Sequence, residues 1–361
     1  MKLVVPREEA GASLPAVTVV IPCYRYGRFL AAATAAALDQ PGLDVRVIIV
    51  DDASPDDSAD VARRLAEADA RITVIAHRQN AGHIRTYNDG IAAVETPYFT
   101  LVSADDFVAR GALTRAVKLM ERHPRVGMVY GRAIEFEDGS DPVSSARFFE
   151  TWTVWKGIEW LRIAYWRGRC FILSPEVVMR TAVFAQIGGY SEELPHSGDL
   201  EYWLRTAARW DVARVNGPAQ AYYRVHQSNM HLTRFAGMAQ DLRHRAAAFE
   251  VILRDPTLLS SAGARRLVSR ARRSMLREAL ALARRELQFR GDRETAARLI
   301  EAAGELAAGL PGAQGRIASA RSALDSSRPG STPSAASRAR EWVRVQLDRV
   351  RWRLYAAIGI S

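Results

Sequence analysis

From residue 17 to residue 131, short apolar runs alternate with stretches in which apolar residues recur every three or four positions. Runs at 17–21, 45–50, 72–75, 98–102 and 127–130 have the length of buried strands, and the stretches between them have helical spacing. This pattern predicts βαβ units and a largely parallel sheet. Ser54-Pro55-Asp56-Asp57 predicts the start of a helix running towards Ala68, and Pro124 interrupts one that begins near Arg110. Glu137-Asp138-Gly139-Ser140 reads as a turn. Between residues 148 and 166 Trp152, Trp155, Trp160 and Trp166 crowd together. That density suits either a lid or acceptor wall, or a helix packing its tryptophans on the sheet.

Beyond about residue 234 the strand pattern stops, and arginine-rich helical patterns run to about residue 324. Ser, Pro, Gly and Thr then dominate residues 326–334, a composition that builds no core and predicts a flexible linker. In the last stretch Val343, Leu347, Val350, Leu354 and Ile358 recur at helical spacing, with Trp342, Trp352 and Tyr355 beside them and six arginines from Arg338 to Arg353. A basic amphipathic helix of this kind lies in an anionic membrane surface or docks on protein. The expected organisation is a tail over 1–14, an α/β domain over 15–232, a helical region over 233–324, a linker over 325–337 and the amphipathic helix over 338–361.

Composition narrows the setting. A chain of 361 residues can bury a full core, and its net charge of +10 with a pI near 10 implies an anionic partner: nucleic acid, a membrane surface or a phosphorylated substrate. Two cysteines, Cys23 and Cys170, are too few for a disulfide framework and have no metal-ligand spacing, so a reducing compartment is expected, with Cys23 in the core. No window is apolar enough to span a bilayer, and the first residues lack a secretory pattern. The expected location is therefore cytoplasmic, with peripheral attachment at the inner membrane face through 338–361.

The chemistry is expected at one sheet edge. The second apolar run ends at Asp51-Asp52 and the fourth at Ser103-Ala104-Asp105-Asp106. In an open α/β sheet the ligand crevice lies beyond the carboxyl ends of the strands, so these acids should converge there. Paired carboxylates suit a hydroxyl-rich, phosphate-bearing ligand held through a divalent metal. Tyr24 follows the first run at the crevice mouth, where it either stacks on a base or covers a core edge. Asp52 either accepts a hydrogen bond from a base or sugar, or stabilises a helix N-terminus. Gly82 lets backbone approach a ligand, and Arg78 or Arg85 has the charge to meet a phosphate.

These motifs resemble the family 2 glycosyltransferases, inverting sugar-nucleotide enzymes of GT-A fold. The resemblance rests on the Val-Ile-Pro-Cys-Tyr strand end, Val50-Asp51-Asp52-Ala53-Ser54 with Asp57-Ser58, the segment from Asn80 and Gly82 to Asn88, and Ser103-Ala104-Asp105-Asp106. It continues through Arg180-Thr181, Ile187-Gly188-Gly189-Tyr190, Gly198 to Arg205 and Tyr223-Arg224-Val225-His226, and covers residues 15–232. It implies a nucleotide-sugar site of Pro22, Tyr24, Asp52, Arg78, Asn80, Gly82, Asn88, Asp105 and Arg224, and a Mn2+ or Mg2+ ion held by Asp106 with His226 as its partner. It implies Asp199 as the general base; independently, Asp199 precedes a helix whose apolar face is Leu200, Trp203 and Leu204, so it sits at an exposed helix start where an N-cap would also sit. Ala104 stands where many members have a further acid, and Tyr87 where many have arginine.

The implied function is transfer of a sugar from a nucleoside diphosphate to a saccharide or lipid-linked acceptor in polysaccharide or glycolipid assembly. A nucleotide-sugar-forming nucleotidyltransferase is disfavoured because Pro22-Cys23-Tyr24-Arg25-Tyr26-Gly27 lacks a glycine-rich phosphate loop. A nucleic-acid-binding role is disfavoured because the arginines concentrate after residue 234, away from the acid-lined crevice. A membrane-bound scaffold without catalysis is disfavoured by Asp106 and Asp199.

Overall fold

Each of the five apolar runs is a strand in the computed structural model, which describes residues 1–6, 15–140, 150–226, 237–254, 260–327, 339, 342–343, 345–347 and 350. The chain groups into two units, Met1–Trp160 with Ile172–Asn229, and Leu161–Phe171 with Met230–Ser361. Residues 161–171, expected in the first domain, thus belong with the helical unit.

In chain order the first unit opens with β1 (Lys2–Val4), β2 (Val17–Cys23), α1 (Gly27–Leu38), β3 (Val45–Asp51), α2 (Ser58–Ala68), β4 (Ile72–Ala76) and α3 (His83–Ala92). It continues with β5 (Tyr98–Leu101), β6 (Phe107–Val108), α4 (Ala112–Arg122), β7 (Val126–Tyr130), β8 (Ala133–Glu137) and β9 (Thr151–Trp155). After α5 (Gly157–Arg167) come β10 (Val178–Arg180), α6 (Thr181–Ile187), α7 (Gly198–Arg209), β11 (Asp211–Asn216) and β12 (Ala221–Val225).

Nine strands form one sheet in the order β1-β9-β11-β7-β10-β5-β2-β3-β4, and β6-β12-β8 form a small second sheet. The half from β5 to β4 is parallel throughout, as the alternation predicts. The other half is mixed: β10 is wedged antiparallel between β5 and β7, β11 runs parallel to β7, and β9 and β1 pair antiparallel at the edge. Lys2–Val4, expected to be tail, is therefore an edge strand; residues 7–14 lie outside the described residues. Strands β2 and β3 are almost wholly buried because helices cover both faces, which is why they read as continuous apolar runs rather than alternating ones.

Trp152, Trp155 and Trp160 are core residues, and Tyr130 stacks on Trp155. Of the four tryptophans only Trp166 is substantially exposed. The first three pack in the core, but only Trp160 does so from a helix, α5; Trp152 and Trp155 belong to strand β9 of the sheet itself. Cys23 is buried and free, and burial pushes its thiol up to about 11.

The helical unit comprises α8 (Met238–Phe249), α9 (Ser261–Arg285), α10 (Arg293–Leu306) and α11 (Ala313–Ser326). Its arginines are partly internal. Arg245 is buried, bonds the Gly168 carbonyl at 2.8 Å and pairs with Glu278 and Asp241. Among the described residues no helix is long and apolar enough to cross a membrane. Residues 328–338 and 351–361 lie outside the described residues; within the expected amphipathic helix Trp342, Val343, Leu347 and Val350 are helical and exposed.

Candidate active site

The carboxyl ends of β2, β3 and β5 are adjacent in the sheet, and β12 brings Arg224 and His226 to the last of them. At the β2 exit Tyr24 is 41% exposed with the Arg25 guanidinium over its ring, so it stands open rather than covering the core. Arg25 and, at the β3 exit, Ala53 both have left-handed backbone, with φ of 61° and 54°. Their segments are tied together, the Arg25 amide donating to Ser54 Oγ at 3.0 Å. Pro22 lies within β2, paired with Val50.

Asp52 organises the loop that leads into α3. The Ala81 amide donates to its Oδ1 at 2.7 Å, the Gly82 amide to Oδ2 at 2.9 Å, and His77 Nδ1 lies 2.8 Å from Oδ1. The Asn80 side chain donates to the Asp52 carbonyl. Burial pushes the Asp52 carboxyl up, but the Ala81 amide, His77 and the Gly82 amide together outweigh it and hold the group below the usual aspartate range. Each carboxylate oxygen has two acceptor positions, so one on Oδ2 is left for a ligand. Gly82 sits at φ +86° with open space where a Cβ would point, which suits the approach of a ligand to backbone. Arg78 is exposed and unpaired among the described residues, whereas Arg85 is engaged with Asp89.

The second acid pair is held by β12. The Arg224 amide donates to Asp106 Oδ1 at 2.9 Å, and its guanidinium donates to the Asp105 carbonyl and to Asp138. That guanidinium is enclosed by the Phe29, Phe107 and Phe136 rings, with 8% of the residue exposed. Arg224 is a brace for the acids, and its charge is already committed; the phosphate contact that the resemblance implies finds no support in this arrangement. His226 meets Asp105, not Asp106: Nε2 lies 2.8 Å from Asp105 Oδ2, with its ring against Tyr26 and Phe29. His226 is thus brought to the acid pair through Asp105, the neighbour of Asp106.

Burial pushes the Asp106 carboxyl well above the aspartate range, Asp105 adds repulsion, and Arg224 offsets only part of this. Asp105 Oδ1 is buried without a hydrogen-bond donor. The pair is short of positive charge. Among the described residues no three His, Cys, Asp or Glu side chains converge as metal ligands. A divalent cation that takes one or two carboxylates and completes its shell from substrate phosphates fits such a site.

Asp199 lies in the first turn of α7, inside the helix rather than before it: Ser197 is the N-cap, and the Asp199 carboxyl is buried where an exposed one was expected. Burial raises its carboxyl to about 6, partly offset by hydrogen bonds from the Tyr190 and Ser174 hydroxyls. Tyr190 is itself fixed: its ring packs on Tyr202 at 4.5 Å and on Tyr87, and its backbone is clamped by Asn88, which accepts from the Tyr190 amide at 2.8 Å and donates to its carbonyl at 2.9 Å. Gly189 is required here, since a Cβ would fall 2.2 Å from Asn88 Oδ1. Asn88, expected against the nucleotide sugar, positions the segment that holds Asp199. His77, Ser174 and Phe29 were not legible as site residues, and Tyr190 only as the end of a motif: His77 and Ser174 act on acids 25 positions away, Tyr190 on one nine positions away, and Phe29 is part of an aromatic wall with no motif.

Comparison with known proteins agrees with this geometry. Residues 18–185 match the model of glycosyl transferase family 2. The chain is 33% identical over 110 residues to EpsJ of Bacillus subtilis (strain 168), named an uncharacterized glycosyltransferase, which is 30% of this chain and 32% of that one. It is 34% identical over 97 residues to the succinoglycan biosynthesis protein ExoU of Rhizobium meliloti (strain 1021), 27% and 28% of the two chains. The matched stretch thus spans about a third of each relative. The fold is similar to that of S. aureus TarS 1–349, solved with UDP-GlcNAc, at a TM-score of 0.59 and 17% identity over 86% of this chain and 88% of that one. The segment that holds both acid pairs is thus the one similar to glycosyl transferase family 2, on a GT-A-type fold.

Proposed function

We propose that the chain is an inverting glycosyltransferase that moves a sugar from a nucleoside diphosphate to an acceptor hydroxyl. The observation that carries this reading is Asp199, a carboxylate set at the start of α7 with its pKa brought to about 6 by burial, in the domain that carries the two acid pairs. A base works best with a pKa near the working pH. Asp199 accepts the acceptor's hydroxyl proton as the oxygen bonds the anomeric carbon, the bond from that carbon to the diphosphate breaks, and the configuration inverts. Tyr190 and Ser174 hold the carboxylate in place through their hydroxyls. Tyr24 offers a ring to the base, Asp52 and the backbone at Gly82 offer polar contacts to the nucleoside, and Arg78 offers charge to the diphosphate. A Mn2+ or Mg2+ ion, for which Asp106 and Asp105 are the ligands this arrangement supports and His226 steadies Asp105, would stabilise the charge that develops on the departing diphosphate.

Asp199→Asn is expected to lower transfer by about 10²–10⁴-fold while nucleoside diphosphate binding by calorimetry is unchanged. The wild-type rate should climb through about pH 6 as Asp199 ionises. Near-normal turnover of the variant would remove Asp199 from the mechanism. The donors bound by TarS, and the role named for ExoU, support a sugar-nucleotide donor and an acceptor in polysaccharide assembly. For 338–361 the exposed Trp342, Val343, Leu347 and Val350, with arginines interleaved, support peripheral contact with an anionic membrane, where a lipid-linked acceptor is presented. Deleting residues 335–361 is expected to abolish co-sedimentation with anionic liposomes; unchanged sedimentation would overturn the membrane reading.

A further inference from the structure

The helical unit contains a groove of about 800 Å3 that plays no part in the proposed transfer. One wall is a single stripe of α9 and the turn that continues it, carrying Arg277, Leu280, Arg284 and Leu287 three or four positions apart. The other wall is a stripe of α11, where small residues leave the space open and Arg316 stands among them; Ile300 of α10 contributes buried apolar surface. The volume falls within the range of about 300–1,000 Å3 typical of small-molecule sites.

Charge decides the ligand class. No residue lining the groove is acidic, and Arg277, Arg284 and Arg316 are exposed and form no ion pair among the described residues. In the same unit Arg243 pairs with Glu305 and Arg272 with Glu250, whereas Arg265, Arg266, Arg270 and Arg273 have no ion pair among the described residues; the groove differs in gathering its three arginines around apolar surface. Three uncompensated guanidinium groups around leucine and isoleucine surface fit a ligand with an anionic head and an apolar tail. Guanidinium forks bind phosphate oxygens, and burial of a hydrocarbon chain is favourable by about 25 cal/mol per Å2. The chain's own C-terminal segment is the wrong occupant, because Arg338, Arg340 and Arg344 would be brought against like charge.

We propose that this groove binds a single-chain phosphorylated lipid, its phosphate among Arg277, Arg284 and Arg316 and its hydrocarbon on Leu280, Leu287 and Ile300. The inference does not rest on glycosyl transfer and survives its failure. The test is calorimetric titration of the full chain with dodecyl phosphate below its micelle concentration, with dodecyl maltoside and inorganic phosphate as separate titrants. Saturable binding of one dodecyl phosphate per chain is expected, with much weaker binding of either other titrant. The triple variant R277Q/R284Q/R316Q, altered only at exposed positions, should raise Kd at least tenfold. Ala320→Trp, which fills the groove without touching its charge, should do the same. Equal affinity in wild type and both variants would place the lipid elsewhere on the chain and overturn the proposal. So would absence of binding, or dodecyl maltoside binding as tightly as dodecyl phosphate.

Discussion

Two strand exits of the same domain end in the same dipeptide, Asp-Asp, and their electrostatics are opposite. At Asp52 the surrounding loop donates two amides and a histidine, and the carboxylate is held below its ordinary range. At Asp106 there is one amide and a committed arginine, and burial with a like-charged neighbour pushes the carboxyl well up. The comparison teaches that an acid pair in a crevice is not a unit of function. Asp52 is committed to shaping a loop, with one lone pair to spare, whereas Asp106 receives a single amide and Asp105 keeps a buried oxygen without a donor. Satisfied carboxylates position; unsatisfied ones bind.

The largest expected effect breaks the second site. Asp106→Asn should lower transfer by about 10²–10³-fold, the cost of removing one electrostatic stabiliser of a transition state, and abolish any response of the rate to added Mn2+. Full activity in that variant would erase the distinction between the two exits. Of intermediate size is the effect at the first site. Asp52→Asn presents an amide to donors that need an acceptor, and should lower stability by about 1–3 kcal/mol, read as a fall in denaturant midpoint at constant m. An unchanged midpoint would mean that the loop does not depend on that carboxylate.

The smallest effect sharpens the contrast. A carboxyl whose folded pKa is raised binds more protons in the native state than in the unfolded one, so stability declines as pH rises from about 4 towards the folded pKa. In the presence of EDTA, Asp106→Asn should therefore raise Tm at pH 7.5 by a few degrees, an advantage that shrinks as pH falls and disappears below about pH 3, where both states of the wild type are protonated. The sign is reversed for Asp52: its depressed pKa contributes stability that is present above the unfolded value and lost as pH falls through the folded one. A variant that is less active and more stable at Asp106, beside one that is less stable at Asp52, would establish the comparison in a single set of melts.

The strand pattern carried the parallel half of the sheet because β2, β3 and β5 are covered on both faces and must be apolar throughout. It did not carry β1 or β10, which have three residues each and take their conformation from the partners that flank them. The acids at the strand ends and Asp199 at a helix start were legible because strand and helix ends are punctuated in sequence. Their partners were not. Nothing local pairs His226 with Asp105 rather than Asp106, or shows that Asn88 clamps Tyr190 across 102 positions. The arginine-rich pattern after residue 234 gave helices without distinguishing Arg245, sunk among acids, from Arg277, Arg284 and Arg316, which face none.

Arg25 and Ala53 hold a backbone conformation that costs an L-residue roughly 1–2 kcal/mol, and glycine occupies neither place. Glycine would relieve the strain and would also let each exit swing. With side chains there and a hydrogen bond from the Arg25 amide to Ser54, the two exits are locked to each other before any ligand arrives. The entropy of ordering this rim is lost during folding, and a nucleotide that docks on it meets a surface with little left to organise. An Ala53→Gly variant would carry the same side-chain contacts to a donor and still hold it more loosely, through faster dissociation.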